Sequence, residues 1–281
     1  MHEISLIDET FDLNFSSEYN LSIQVSLDGF SFCILDKLQK KYVVLQHYPL
    51  IVGKIQFLSK KIEAIFEQEP KLQATYKGVN ITYSTNKSTL VPTEFFDERQ
   101  TKEVLQRLHE IDRCEDIEVS PMKSIGQYIV YAYPKDIREL FNAKFSSYTL
   151  KHKSVALIAT VLKEKNSKNS ILLNFERKYF RMIVFKNEKV EFFNSFYYKN
   201  EFDFLYYTLN VCSQLNLDPE KDELLIGGYM APDSPYIRQL KKYWASIRFL
   251  TPDPDYFYSY TFDRIPQHYF VSLLNSIECE L

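Results

Sequence analysis

Leu21, Ile23, Val25 and Leu27 alternate with Ser22, Gln24 and Ser26. This period of two predicts a half-buried strand over residues 21–27. Asp28-Gly29 ends the run and predicts a tight hairpin, because a two-residue turn needs positive φ at its centre and these residue types supply it. Residues 30–35 are the returning strand, residues 36–41 a polar basic turn, and residues 42–45 a third strand. Past Pro49 the period becomes helical, with Ile55, Leu58, Ile62, Ile65 and Phe66 recurring until Pro70 stops the run. Residues 79–83 read as a strand, residues 101–111 as a helix and residues 127–133 as a strongly apolar strand. Pro134 suits the first turn of the helix that follows. The predicted order is βββαβαβα.

The second half repeats it. A helix over residues 155–162 leads through a polar connector, residues 163–169, to strands at 171–175, 179–185 and 190–193. Phe202, Leu205, Leu209 and Cys212 mark a helix, and residues 224–226 a strand closed by Gly227-Gly228. Ser234-Pro235 supplies a capping hydroxyl and an N1 proline to a helix carrying Ile237, Leu240 and Trp244. Residues 247–250 form a last strand, and Phe270, Leu273, Leu274 and Ile277 a terminal helix.

Composition narrows the function. The 281 residues carry 34 Lys plus Arg and 37 Asp plus Glu, a net charge of 34 − 37 = −3. Nucleic acid is therefore not expected as the principal ligand, since tight backbone binding needs uncompensated basic residues. No apolar stretch reaches the length of a membrane span, and the acidic opening residues make no signal peptide. A cytoplasmic setting is expected. Cys33, Cys114, Cys212 and Cys279 have no metal-site spacing and read as buried small hydrophobes, so no metal is expected. The five histidines are scattered, and GxSxG, HExxH, GxGxxG and P-loop motifs do not occur. Only 6 glycines are present, which makes phosphate cradles scarce, whereas 21 Tyr and 22 Phe supply core and contact surface.

Two successive βββαβαβ units resemble the duplicated, two-lobed, actin-like (ribonuclease H-like) α/β architecture of the sugar kinase, heat-shock chaperone and actin superfamily. The chain also looks like a member of an uncharacterised bacterial family with an actin-like ATPase fold. The expected lobes are residues 1–150 and 151–281. In that superfamily, nucleotide is held by the first hairpin turn of each half and by a glycine pair late in the second. The resemblance thus points to Asp28 and Gly29, to Arg177 and Lys178, and to Gly227 and Gly228. The first turn departs from the D-x-G pattern because Asp28 and Gly29 are adjacent, and the second, Glu176-Arg177-Lys178-Tyr179, has no glycine. The glycine pair keeps its form. A degenerate site is expected, with no cofactor and no catalytic residue, in a non-catalytic interaction module. The alternative is a working ATPase or kinase binding ATP with Mg²⁺. The partner is another protein or a second copy, with Tyr197, Tyr198 and Tyr258 as interface candidates.

Overall fold

The computed structural model describes residues 3–164 and 169–277. The chain divides into two compact units, one made of Met1–Leu157, Asp253–Arg264 and Ser272–Leu281, the other of Ile158–Pro252 and Ile265–Val271. The C-terminal segment thus returns to the first unit, a discontinuity that a division into 1–150 and 151–281 does not contain.

The first unit contains β1 (Ile4–Ile7), β2 (Tyr19–Ser26), β3 (Gly29–Asp36), β4 (Lys41–Pro49), α1 (Leu58–Gln68), β5 (Gly78–Tyr83), β6 (Ser88–Pro92), α2 (Thr101–Gln106), β7 (Glu115–Met122), β8 (Gln127–Pro134), α3 (Lys135–Lys144) and β9 (Thr149–His152). Helix α4 (Lys153–Lys163) crosses into the second unit, which holds β10 (Ser170–Phe175), β11 (Tyr179–Lys186), β12 (Lys189–Tyr197), α5 (Glu201–Gln214), β13 (Glu223–Gly228), α6 (Pro235–Leu240) and β14 (Ile247–Phe249). A short β15 (Phe257–Tyr258) and α7 (Val271–Leu274) complete the described chain.

The main sheets share one topology. In the first unit the order is β1-β4-β3-β2-β5-β9, with β15 also on β4; in the second it is β12-β11-β10-β13-β14. Three antiparallel strands are followed in each case by two strands parallel to the first of them. The registers match as well: Val25 pairs with Phe30 and Tyr83 as Phe175 pairs with Phe180 and Gly228.

Each core follows from the apolar patterning. Helix α1 buries Leu58, Ile62, Ile65 and Phe66, the i, i+3 and i+4 face read from the sequence. Phe66 lies edge-on to Phe30 and Phe141, with ring centroids 5.9 and 6.2 Å apart. In the second unit Ile171, Leu173, Phe175, Phe180, Met182, Leu224 and Ile226 gather with Phe204, Val211, Ile237, Leu240 and Trp244 in one apolar core.

Several elements differ from the pattern-based expectation. The strand expected at 127–133 is β8, yet it lies in a separate sheet of order β6-β8-β7. Its β7 partner carries charges and Pro121, which mask a strand signal; the proline is tolerated because β7 is an edge strand. The last strand of the first main sheet is β9, four residues with no apolar alternation. Helix α2 stops at Gln106, and Leu108, expected inside it, is exposed. The terminal helix is limited to Val271–Leu274, and its expected extension ends at the last described residue, Ile277. Pro134 precedes α3 as its N-cap residue instead of entering its first turn.

Candidate functional site

The first hairpin is a two-residue loop, but not the expected one. Ser26 pairs with Gly29, so Leu27 and Asp28 occupy the turn and Gly29 begins β3. Among the described residues only Gly126 and Gly228 are glycines with positive φ, and the expected left-handed role of Gly29 is therefore corrected. The bare face of Gly29 serves a close approach. A Cβ there would lie 2.5 Å from His47 Cε1. His47 Nδ1 is 2.7 Å from Ser31 Oγ, and the ring is buried. Burial, reinforced by nearby positive charge including Lys153, pulls its pKa down to about 4, so the imidazole is neutral. In the turn, the Asp28 N–H donates to Ser26 Oγ at 3.2 Å and the Asp28 carbonyl accepts from the Leu50 N–H at 3.0 Å.

The second hairpin has the same length. The Glu176 N–H donates to the Tyr179 carbonyl at 2.9 Å, leaving Arg177 and Lys178 exposed at the tip. The Glu176 side chain turns inward and accepts from Asn174 Nδ2 at 3.1 Å, with the residue only 4% exposed. Arg181 is buried beside it, its guanidinium 4.5 Å from the Phe193 ring centroid. Desolvation lowers the Arg181 pKa, opposed by Tyr179 and by the Glu176 charge. The carboxylate at this turn is part of an internal polar cluster.

Equivalent positions form a polar row across each sheet. Thr82, Gln24, Ser31 and His47 are successive cross-strand neighbours in the first unit. Gly227, Asn174, Arg181 and Ser195 occupy the same places in the second. Gln24, which the period-two reading put on the face opposite Leu21, Ile23 and Val25, is buried in the first row with Thr82, Ser31 and His47, and Asn174 and Arg181 are buried in the second. Arg181 inside the apolar run of β11 was the available signal for the second row, since an arginine is rarely buried without partners.

Gly227 and Gly228 end β13 beside the second hairpin. Gly228 has φ +75°, and a Cβ there would fall 2.1 Å from the Phe175 carbonyl oxygen. The Tyr229 N–H donates to that same carbonyl at 2.9 Å. A Cβ on Gly227 would meet Asn174 Oδ1 at 3.1 Å and Leu250 Cδ1 at 3.2 Å. Close approach of β10 to β13 therefore accounts for both glycines. In the first unit Thr82 and Tyr83 stand at these positions, and the Ser84 N–H makes the matching bond to the Val25 carbonyl at 2.8 Å.

The interface candidates separate. Tyr197 ends the edge strand β12 and is 60% exposed. Tyr198 is half-buried against Phe175, Phe180, Phe204 and Tyr236, and desolvation pushes its hydroxyl up to about 12. Tyr258 is also half-buried, stacked on Tyr42 at 5.3 Å with its hydroxyl donating to the Asp253 carbonyl at 2.7 Å. Tyr198 and Tyr258 are thus half-buried and packed against neighbouring rings, whereas Tyr197 is exposed. Sequence reading missed Phe202 and Tyr206, which lie four residues apart on the outer face of α5 and are 69% and 65% exposed. Of the residues that marked this helix in the sequence, Cys212 is buried whereas Phe202 is exposed, and Phe204, Thr208 and Val211 complete the core face.

Cys33 and Cys212 are buried and Cys114 is partly so; Cys279 lies outside the described residues. Among the described residues no three His, Cys, Asp or Glu side chains form a metal-binding group. No described helix is long and apolar enough to cross a membrane.

Duplicated sheets of this order, each with a hairpin beside its antiparallel-to-parallel junction, define an actin-like ATPase fold. The fold is similar to that of a Bacteroides thetaiotaomicron protein with an actin-like ATPase fold and unknown function, with a TM-score of 0.77 and 23% identity over 85% of this chain and 93% of that one. It is also similar to a chain of a PilM-PilN type IV pilus biogenesis complex, with a TM-score of 0.58 and 11% identity over 95% and 99% of the two chains. Residues 8–247 match the model of a family of proteins of unknown function, DUF3822, and the chain belongs to that family. No curated protein matches it.

Proposed function

We propose that this protein is a non-catalytic docking module whose phosphate turns no longer hold nucleotide. The observation that carries this reading is Glu176. A carboxylate at that turn would have to face a metal-bound water shell, whereas here it is buried and receives the Asn174 amide at 3.1 Å beside Arg181. Supporting it, His47 fills the bare face of Gly29 and the Phe175 main chain fills that of Gly228. Arg177 and Lys178 are then solvated charges, and Asp28 is a hairpin residue.

The docking surface is the exposed aromatic pair Phe202 and Tyr206 on the outer face of α5; Tyr197, next to Phe196 that packs toward α5, points to the other face of the sheet. Rigid aromatic side chains bury large area at low entropic cost. The occupant is a different protein: the neighbour from the PilM-PilN complex is a protein of the same fold seen with a partner. A thermal melt with 5 mM Mg·ATP tests the first half of the proposal. Nucleotide at 100 times its Kd would add about 2.7 kcal/mol and raise the Tm by roughly 5 °C or more; an unchanged Tm is expected. A shift of that size would favour the ATPase reading. For the second half, a partner isolated on the intact protein should lose binding when Phe202 and Tyr206 are both changed to Ala. Undiminished binding by that variant, or recovery of only a second copy of the chain, would refute it.

A further inference from the structure

We propose that the loop between β4 and α1 rests on the surface of an anionic lipid bilayer, with Ile51 and Phe57 inserted and Lys54, Lys60 and Lys61 at the headgroups. The loop starts beside the first hairpin, where the Leu50 N–H donates to the Asp28 carbonyl at 3.0 Å. It ends in a 3-10 turn, Ile55–Phe57, in which the Phe57 N–H donates to the Lys54 carbonyl at 3.0 Å, and α1 follows at once. Its ends are therefore fixed.

Two observations point to lipid. The first is what the loop shows to solvent. Ile51 is 82% exposed and Phe57 48%, although both are residue types that are ordinarily buried. Leu27, at the tip of the adjacent hairpin, is exposed as well. A Cβ on Gly53 would meet nothing within 4 Å, so the main chain between Ile51 and Phe57 also stands clear of the body. The core is filled without them, by Leu58, Ile62, Ile65 and Phe66 of α1.

The second is charge. Residues 50–62 carry Lys54, Lys60 and Lys61 and no Asp or Glu, a local +3 in a chain whose net charge is −3. All three lysines are exposed. Lys60 and Lys61 stand three and four positions after Phe57, the N-cap residue of α1, which is the spacing that puts them beside it on the helix surface. Asp28 is half-buried, and Glu63, six positions after Phe57, faces another flank of α1. Apolar side chains at the acyl boundary with ammonium groups among the phosphates hold a protein to a bilayer without spanning it. The uncharged polar side chains of residues 50–61 are Gln56 and Ser59 alone, which leaves little for the directional recognition of a folded partner.

Flotation of the full chain with vesicles tests this. Vesicles of equal parts phosphatidylcholine and phosphatidylglycerol should bind it at least about tenfold more tightly than phosphatidylcholine alone, and about 0.5 M salt should remove most of the difference. Joint Ile51→Ser and Phe57→Ser, and separately joint replacement of Lys54, Lys60 and Lys61 by Gln, should each weaken binding at least about tenfold. All five residues are exposed, so both variants are expected to keep the wild-type Tm. Joint Arg177→Ala and Lys178→Ala, which removes exposed cations of the second unit, should leave binding unchanged. The emission of Ile51→Trp should move to the blue on the mixed vesicles, as insertion requires. The proposal is overturned if the mixed vesicles bind no better than phosphatidylcholine, if either loop variant binds like wild type, if the Arg177 and Lys178 variant loses as much, or if the Ile51→Trp emission stays where it is in buffer. Retention on polyglutamate without vesicle binding would overturn it in favour of an acidic protein partner.

Discussion

The two hairpins occupy equivalent places in equivalent sheets and are built from different chemistry. The first, Ser26 to Gly29, ends in a glycine whose open face is taken by a neutral imidazole from β4. The second, Glu176 to Tyr179, has no glycine, and its acidic residue is folded inward onto an amide and beside a guanidinium. A duplicated backbone can therefore keep its register while each copy fills its turn with its own side chains. What is retained is the geometry of the sheet, and what has changed is the availability of main chain for a ligand.

Substitutions at matched positions can break this comparison. The largest effect is expected for Gly228→Ala, because the new methyl meets the Phe175 main chain and the residue must hold φ +75°. A loss of about 4 kcal/mol is predicted in a denaturant melt, whereas a non-glycine, Tyr83, already stands at the matching position of the first unit. A cost near 0.5 kcal/mol would show that β10 and β13 separate easily.

Next comes Glu176→Ala. It removes the charge that, together with Tyr179, supports buried Arg181, and weakening the support of a buried charge costs about 3 kcal/mol. Asp28→Ala, at the partly exposed tip of the other hairpin, should cost under about 1 kcal/mol. Equal costs would contradict the inward role of Glu176.

The pH dependence sharpens the first hairpin. His47 has a folded pKa near 4, below the ordinary value of 6.5, because burial disfavours its charged form. The unfolded chain therefore takes up a proton before the folded one. The stability contributed is fully present above pH 6.5 and is lost progressively as pH falls from 6.5 towards 4. At pH 5 the loss should be about 2 kcal/mol relative to pH 7. Urea melts of His47→Asn should show a shallower pH slope across that window; an unchanged slope would remove His47 as its source.

The smallest effect belongs to the exposed tip of the second hairpin. Joint replacement of Arg177 and Lys178 by Ala should move stability by under about 0.5 kcal/mol. A larger loss would mean that these charges are structural.

Most of the fold was legible because its main strands alternate or run apolar and its helices carry a 3.6 period. The hairpin of residues 21–35, the Pro70 stop and the Ser234-Pro235 helix start were all readable from local rules. The small β6-β8-β7 sheet was not, because β7 is charged and contains a proline and one face packs on a small cluster of Val91, Leu105, Val130 and Ala132 with half-buried neighbours. The site was less legible than the fold. Gly29 has a sequence context that suits a turn, but its purpose depends on His47, eighteen positions away. Gly228 owes its conformation to Phe175, which only the parallel register of β10 and β13 brings beside it. Burial of Tyr198 and exposure of Phe202 depend on how α5 seats, which two nearby aromatic runs do not specify.

The most direct measurement is a crystal structure of the protein grown with saturating Mg·ADP. The account predicts no nucleotide phosphate at either hairpin, with His47 still against Gly29 and Glu176 still bonded to Asn174. Phosphate oxygens held by the main-chain N–H groups of Asp28 or Lys178, with Glu176 turned outward, would contradict it.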